Sequence, residues 1–287
     1  MNTDIKTKRS PINILVTLDS NYVEPLTVML SSLMHSNPGE FFNIYTAHST
    51  LTEDDFERIA SSVESSRCRV IPIQVSGELL RDAPVLKRIS KETYYRLIAA
   101  DYLPESVDRV LYIDPDTVII NPIRRLFELE LHGCVMAGAT HIGAMRLRIN
   151  RKRLDMCENS EYVNAGVLLM DIAAIRSCIT SEQIFAYISK MGNKLYLADQ
   201  DVINALFCDK MYIVDERILN LDETTYFHHR DSISLSWVKK NTMIVHYNGK
   251  YKPWRENYRG ELKGFYDVEL SYLNSRLAAA KDIKRAG

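Results

Sequence analysis

The sequence predicts an α/β protein, a Rossmann-like and mostly parallel sheet flanked by helices, with a C-terminal helical appendage. Compact β-rich runs alternate with helically spaced apolar residues through the first half, which is the pattern of an α/β layer structure. No internal repeat and no Pro/Gly/Ser linker divides the 287 residues. The end of the chain instead carries one long helical stripe. These observations divide the chain into a main unit, residues 1–255, and a helical tail, residues 256–287, packed on or beside it.

Residues 12–18 (INILVTL) are apolar enough for a strand covered on both faces. Beyond Asp19-Ser20-Asn21, the positions Leu26, Met29, Leu30 and Leu33 recur at helical spacing until Asn37-Pro38-Gly39 stops them. Residues 42–47 predict a second strand. Thr52 caps a helix carrying Phe56, Ile59 and Val63, and residues 68–75 predict a third strand. Residues 94–102 read as a helix ended by Pro104, and residues 107–113 (VDRVLYI) as a fourth strand.

The rhythm then changes. Residues 118–120 are a short apolar piece, and residues 134–139 and 163–170 predict strands. The polar stretch 150–160 reads as an exposed loop. Helical material follows around residues 184–188 and 202–207, with a late strand at 242–246. In the tail, Leu262, Tyr266, Leu270, Leu273 and Leu277 share one helical face.

Lys and Arg total 36 against 37 Asp and Glu, a formal charge of −1. That balance excludes a nucleic-acid binder working through a broad basic field. Five cysteines, widely spaced and without a C-x-x-C, argue against a secreted disulfide framework and for a reducing cytoplasm. The polar start MNTDIKTKRS precedes an apolar segment interrupted by Asn13 and followed by Asp19, a poor signal core. No apolar stretch approaches the ~18 residues of a membrane span.

Several phosphate-handling and hydrolytic motifs are missing: G-x-G-x-x-G, G-x-x-x-x-G-K-[ST], G-x-S-x-G and H-E-x-x-H. A phosphorylated ligand would therefore need a divalent metal rather than a glycine-rich loop. Leu111-Tyr112-Ile113-Asp114-Pro115-Asp116 ends an apolar strand in two carboxylates one residue apart. Extended i and i+2 side chains project to one side, and Pro115 stiffens the pair. Strand ends are where open α/β sheets bind ligands. The segment is either a metal-binding pair or simply an Asp-Pro-Asp turn. His246, followed by Gly249, Lys250 and Lys252, is either a metal ligand beside a diphosphate site or a hydrogen-bonded His before a solvated turn. Asp199-Gln200-Asp201 opens a helix, where acids also suit the macrodipole.

Taken in order, Asp19-Ser20-Asn21-Tyr22, Tyr94-Tyr95-Arg96-Leu97, Leu111 to Asp116, Asn164-Ala165-Gly166, Asp199-Gln200-Asp201 and His246-Tyr247-x-Gly249-x-x-Lys252-Pro253-Trp254 resemble the retaining glycosyltransferases of family eight. That family includes bacterial lipopolysaccharide galactosyl- and glucosyltransferases and, more distantly, glycogenin. The resemblance spans roughly residues 12–255. It implies a GT-A fold, a UDP-galactose or UDP-glucose donor, Mn²⁺ or Mg²⁺, a saccharide or glycolipid acceptor, and a role in lipopolysaccharide or cell-surface glycan synthesis.

By that resemblance Asp114, Asp116 and His246 hold the metal, while Asp19 and Asn21 line the uridine pocket. Arg96, Asn164, Asp199 and Gln200 surround the donor sugar, and Gly249 and Lys252 close over the diphosphate. Lys250 has no counterpart. Gln200 lies nearest the sugar face opposite UDP, but an amide is a poor nucleophile. Front-face attack by the acceptor hydroxyl is the favoured route, with double displacement as the alternative. Ala139-Thr140-His141 stands where many members have an acid, so their acceptor contacts do not carry over.

Two other readings stay open. One is nucleotidyl transfer, which lacks its usual glycine-rich loop here. The other is a nucleotide-sugar-binding or self-glycosylating scaffold without an external acceptor. The tail ends Lys281-Asp282-Ile283-Lys284-Arg285, a basic terminus that suits either peripheral contact with the inner face of a cell membrane or packing on the domain.

Overall fold

A computed structural model describes residues 10–81, 83–84 and 91–286. The polar leading segment 1–9 lies outside the described residues, as do the side chains of Lys281, Ile283, Lys284 and Arg285. β1 (Ile12–Thr17) is buried at every position but Asn13, as its apolar run requires. It pairs in parallel with β2 (Phe42–His48) on one side, and β2 pairs with β3 (Cys68–Gln74). A single 3₁₀ turn, Ser20–Tyr22, leads into α1 (Val23–Ser36), and α2 (Glu53–Ser61) joins β2 to β3. Thr52 and Asp55 form a reciprocal capping box at the start of α2.

The helix expected over residues 94–102 is two pieces, α3 (Lys91–Leu97) and α4 (Ala99–Tyr102), divided at Ile98. β4 (Arg109–Ile113) follows and pairs in parallel with β1, aligning Ile14 with Leu111. Next come β5 (Thr117–Ile119), α5 (Arg124–Phe127), β6 (Met136–Ala139), α6 (Ala144–Arg153) and β7 (Val167–Asp171). β7 begins four residues later than its apolar run suggests. Val163 makes only an isolated bridge to Thr140 before the chain turns through Asn164 to Gly166.

The exposed loop expected at 150–160 is a correction. Residues 150–153 complete α6, and Leu154, Met156 and Ser160 are buried behind it. Cysteine usage is a second correction, because Cys157 and Cys208 form a disulfide, leaving Cys68, Cys134 and Cys178 free. The two partners lie just beyond α6 and α9 (Ala198–Leu206), an adjacency that a separation of 51 residues conceals.

α7 (Ile172–Cys178) and α8 (Ser181–Met191) precede α9, and β8 (Met211–Val214) follows it. The large sheet runs β3-β2-β1-β4-β7-β6-β8. Its β4/β7 and β7/β6 pairs are antiparallel and its other four are parallel. α10 (Glu216–Leu219), α11 (Glu223–His229) and α12 (Leu235–Asn241) lead to β9 (Ile244–His246), which pairs with β5 in a separate two-stranded ribbon.

α13 (Lys263–Ala286) ends the chain. Tyr266 and Leu273 are buried against Val28 of α1 and Val118 of β5, and Leu270 and Leu277 pack at the margin. Tyr247, directly after β9, donates to the Leu262 carbonyl at 3.0 Å and meets the Tyr266 ring edge-on at 5.8 Å. Each such buried side chain contributes on the order of 1.5–3 kcal/mol. The tail therefore buttresses the ribbon that carries His246. Among the described residues, no helix is long and apolar enough to cross a membrane.

Candidate active site

Two ladders bring the acids and the histidine together. β4 against β7 aligns Ile113 with Val167, so Asp114 N–H donates to the Gly166 carbonyl at 2.7 Å. β5 against β9 aligns Thr117 with His246, and Tyr247 N–H returns to the Asp116 carbonyl at 2.9 Å. One carboxylate is thus fixed by each ladder. Asp114, Asp116 and His246 present ligand atoms that all lie within 4.8 Å of one another. His246 Nε2 is 3.3 Å from Asp116 Oδ1 and 3.8 Å from Asp114 Oδ2.

Gly166 is required by this convergence. A Cβ at that position would stand 2.2 Å from His246 Cε1 and 2.8 Å from Asp114 Oδ2. The backbone can approach the pair only because the side chain is absent.

Asp114 also accepts from Tyr112 Oη at 2.6 Å and pairs with Arg96 Nη2 at 2.9 Å. Arg96 reaches Asp199 Oδ2 at 2.8 Å, donates to the Ala165 carbonyl at 3.0 Å, and lies over the Tyr112 ring. It therefore ties α3, the end of β4 and the start of α9 into one polar unit. Gln200 Oε1 accepts from Ala165 N–H at 3.1 Å, which fixes its carboxamide beside the same turn.

The start of α9 is held under strain. Ala198 has φ 46°, the left-handed region that a Cβ disfavours. Asp201, with no exposed surface, accepts from Tyr196 N–H at 2.7 Å and Leu197 N–H at 3.0 Å. It also takes two bonds from Arg153, at 2.7 and 2.9 Å, and one from Tyr162 at 2.6 Å. That anchor presents Asp199 and Gln200 to the cavity.

Arg96, Asp114, Asp116, Asn164, Asp199, Gln200, His246 and Gly249 all line one cavity of about 470 Å³. Asp19, Asn21 and Lys252 do not line it. Asp19 caps the 3₁₀ turn after β1, accepting from Asn21 N–H at 2.9 Å, and this turn delivers Tyr22 to the neighbourhood of Asp116. Lys252 is buried, donating to the Tyr247 carbonyl at 2.9 Å and forming an ion pair with Asp116 Oδ2.

The charged groups of the site act on one another at short range. Burial opposes ionisation of Asp116, but His246 and Lys252 more than offset it and hold the carboxyl well below its usual range. Burial likewise opposes protonation of His246, yet Asp116 and Asp114 raise its pKa above the ordinary imidazole value. The acids thus draw positive charge inward. Asp199 is raised by burial, with Arg96 opposing and Asp114 reinforcing the shift.

Sequence reasoning missed a second layer. His246 Nδ1 lies 2.9 Å from Asn220 Oδ1, and Asn220 Nδ2 donates to Asn164 Oδ1 at 3.0 Å. His141 and Asp222 form a pair at 3.2 Å beside Asn220, whose carbonyl lies 2.7 Å from His141 Nε2, and Asn248 joins them at 2.7 Å from Asp222. Asp222, from another element, places a carboxylate beside His141. No local motif marks Asn220, which follows a four-residue helix.

A donor set of two carboxylates and one imidazole suits a hard divalent cation, with further positions left for oxygen ligands. The Asn220 contact leaves Nε2 as the nitrogen directed at the acids, so these residues fit such an ion.

A mostly parallel sheet, an acid pair leaving its fourth strand, and a histidine returned beside that pair by a separate ribbon define a glycosyltransferase of the GT-A class. The chain belongs to Glycosyl transferase family 8, whose model matches residues 13–258. It is 25% identical over 248 residues to lipopolysaccharide 1,2-glucosyltransferase of Escherichia coli K12, covering 85% of this chain and 73% of the relative. General stress protein A of Bacillus subtilis is 24% identical over 272 residues, covering 91% of this chain and 93% of that protein. The solved structure of galactosyltransferase LgtC, in complex with donor and acceptor sugar analogs, has a TM-score of 0.78 at 22% identity. That likeness covers 91% of this chain and 96% of LgtC, and it establishes the fold.

Proposed function

We propose that this glycosyltransferase moves galactose or glucose from a UDP-sugar to a hydroxyl of a saccharide or glycolipid acceptor, with retention of configuration. The observation that carries the reading is the convergence of Asp114, Asp116 and His246 in a cavity whose other walls present Arg96, Asp199 and Gln200. The names of relatives that act on lipopolysaccharide support the same chemistry and an acceptor of cell-surface glycan type.

Mn²⁺ or Mg²⁺ held by Asp114, Asp116 and His246 would supply Lewis-acid stabilisation of charge on the departing diphosphate. The remaining roles belong to the chain itself. Arg96, fixed between Asp114 and Asp199, holds the Asp199 carboxylate toward the donor-sugar side of the cavity. One lone pair of Gln200 Oε1 is occupied by Ala165 N–H, leaving the other to face positive charge developing on the sugar. An amide cannot readily become a covalent nucleophile, which favours attack by the acceptor hydroxyl on the face that UDP leaves. Gly249 (φ 90°) adopts a left-handed turn at the cavity edge, and Lys252 holds Asp116 from beneath.

The test is UDP release from UDP-glucose and UDP-galactose with Mn²⁺, a panel of saccharide acceptors, and NMR assignment of the new anomeric centre. We expect α-linked product, loss of turnover with EDTA, and a fall of roughly 10³-fold for Asp116→Asn. Chelator-resistant turnover or an inverted product would overturn the reading. A gain of intact mass by the protein itself, without acceptor, would instead favour self-glycosylation.

A further inference from the structure

We propose that the outward face of α6 is a docking surface for an anionic lipid bilayer, seating the mouth of the cavity against the membrane. This goes beyond the assigned chemistry and does not depend on which sugar is moved. At ~100° per residue, Met145, Ile149 and Lys152 fall within an arc of about 60°, while Leu147 and Leu154 lie opposite. The burial agrees: Leu147 and Leu154 are buried, whereas Met145 is 72% and Ile149 52% exposed. Arg148 flanks the outward stripe on one side and Arg146 on the other, where it lines the cavity.

Charge identifies the occupant. No Asp or Glu occurs between His141 and Leu154, although the whole chain is nearly neutral. Arg151 is engaged with the Ser160 carbonyl and Arg153 with Asp201. Arg146, Arg148 and Lys152 are exposed and have no ion-pair partner among the described residues. A stripe of large exposed apolar residues flanked by unpaired cations matches an interface of acyl chains and anionic headgroups.

Other exposed apolar side chains lie close in the chain to cavity-lining residues. Nine large hydrophobic side chains are exposed among the described residues, and six of them lie at or within three positions of a cavity-lining residue. Besides Met145 and Ile149 these are Tyr196, Leu197, Phe227 and Tyr251. Each of the three aromatic rings carries a cation over its face: Arg153 on Tyr196, Arg230 on Phe227, and Lys250 on Tyr251. Such rings with a charged cap suit the headgroup layer. A bilayer at this rim would present a lipid-anchored acceptor directly to the cavity.

The test is sedimentation of the full chain with vesicles of phosphatidylcholine alone or with added phosphatidylglycerol. Arg148→Gln/Lys152→Gln and Met145→Ser/Ile149→Ser serve as variants, because none of these residues lines the cavity. We expect salt-sensitive binding to the anionic vesicles only, weakened roughly thirtyfold by the charge variant and clearly reduced by the apolar one. UDP release to a soluble acceptor and the melting temperature should stay unchanged in both variants. Three results would overturn the proposal: no binding by the parent protein, equal binding by the α6 variants, or loss only on neutralising Lys281, Lys284 and Arg285. A parent protein that is dimeric without vesicles and becomes monomeric on Met145→Ser/Ile149→Ser would make the face a self-association surface instead. Vesicle binding is read without turnover, so its outcome is separate from that of the donor assay.

Discussion

Asn220 Oδ1 sits 2.9 Å from His246 Nδ1, and the direction of that bond follows from the chain of contacts behind it. Gly166 N–H donates to Asn164 Oδ1 at 2.9 Å, so that oxygen is an acceptor and Asn220 must present its amide nitrogen to it. The Asn220 oxygen is then turned to His246, and the imidazole carries its hydrogen on Nδ1. Nε2 is left to face Asp114 and Asp116. Replacing Asn220 with Leu should lower Mn²⁺ affinity by roughly 10–100-fold, the usual effect of losing a partner behind a metal ligand. Titration calorimetry would measure it, and an unchanged affinity would remove Asn220 from this role.

Gly166 makes a sharper demand. A methyl group at this position overlaps the imidazole at 2.2 Å, and neither the ladder bond from Asp114 nor buried His246 leaves room to retreat. Gly166→Ala should therefore separate His246 from Asp114, lowering turnover by roughly 10²-fold or more, since ångström misplacements cost that much. Circular dichroism should remain native. Near-normal kcat with intact Mn²⁺ binding would show that the ribbon yields more easily than its contacts imply.

Asn220 marks where sequence legibility ended. β1, β2 and β4 were readable because residues buried on both faces leave continuous apolar runs, and the acid pair was visible because Asp114 and Asp116 follow such a run. Residue type and order also marked Asn164, Asp199, Gln200 and His246. Asn220 stayed hidden since its partners, Asn164 and His246, are 56 and 26 positions away and are joined only by folding. Residues 150–153 of α6 were read as loop because five cations in ten residues erase its amphipathic signal, leaving Leu147 alone buried within the helix. The apolar anchors that complete its packing, Leu154 and Met156, follow its end.

The disulfide is the feature that the cysteine count concealed. Thiol titration of the unfolded, unreduced protein should find three reactive cysteines, Cys68, Cys134 and Cys178, rising to five after reduction. The bond closes a 51-residue span, for which chain entropy gives about 4 kcal/mol of stabilisation. Reduction should lower the melting temperature and destabilise the contact between α6 and α9 first. Five reactive thiols before reduction would mean that Cys157 and Cys208 rest as a dithiol.

Asp201 gives the fold a defined response to acid. Burial raises its pKa, but hydrogen bonds from Arg153, Tyr162 and Leu197 N–H outweigh burial, so the folded value lies below the usual carboxylate range. The folded chain therefore binds this proton less tightly than the unfolded chain does. The resulting stability is fully present above pH ~4, the unfolded value, and is lost as pH falls through the lower folded value. Asp201→Asn keeps the shape but leaves Arg153, whose side chain is 11% exposed, without its counter-charge. Breaking a buried pair in this way should cost about 3–5 kcal/mol near neutral pH. Urea unfolding at several pH values should show the gap between parent and variant narrowing below pH ~4, as the parent loses its advantage. Because the same carboxylate holds Tyr196 and Leu197 N–H and with them the strained Ala198, turnover should fall alongside stability. A pH-independent gap would mean that the loss comes from packing of the α9 start rather than from the charge on Asp201.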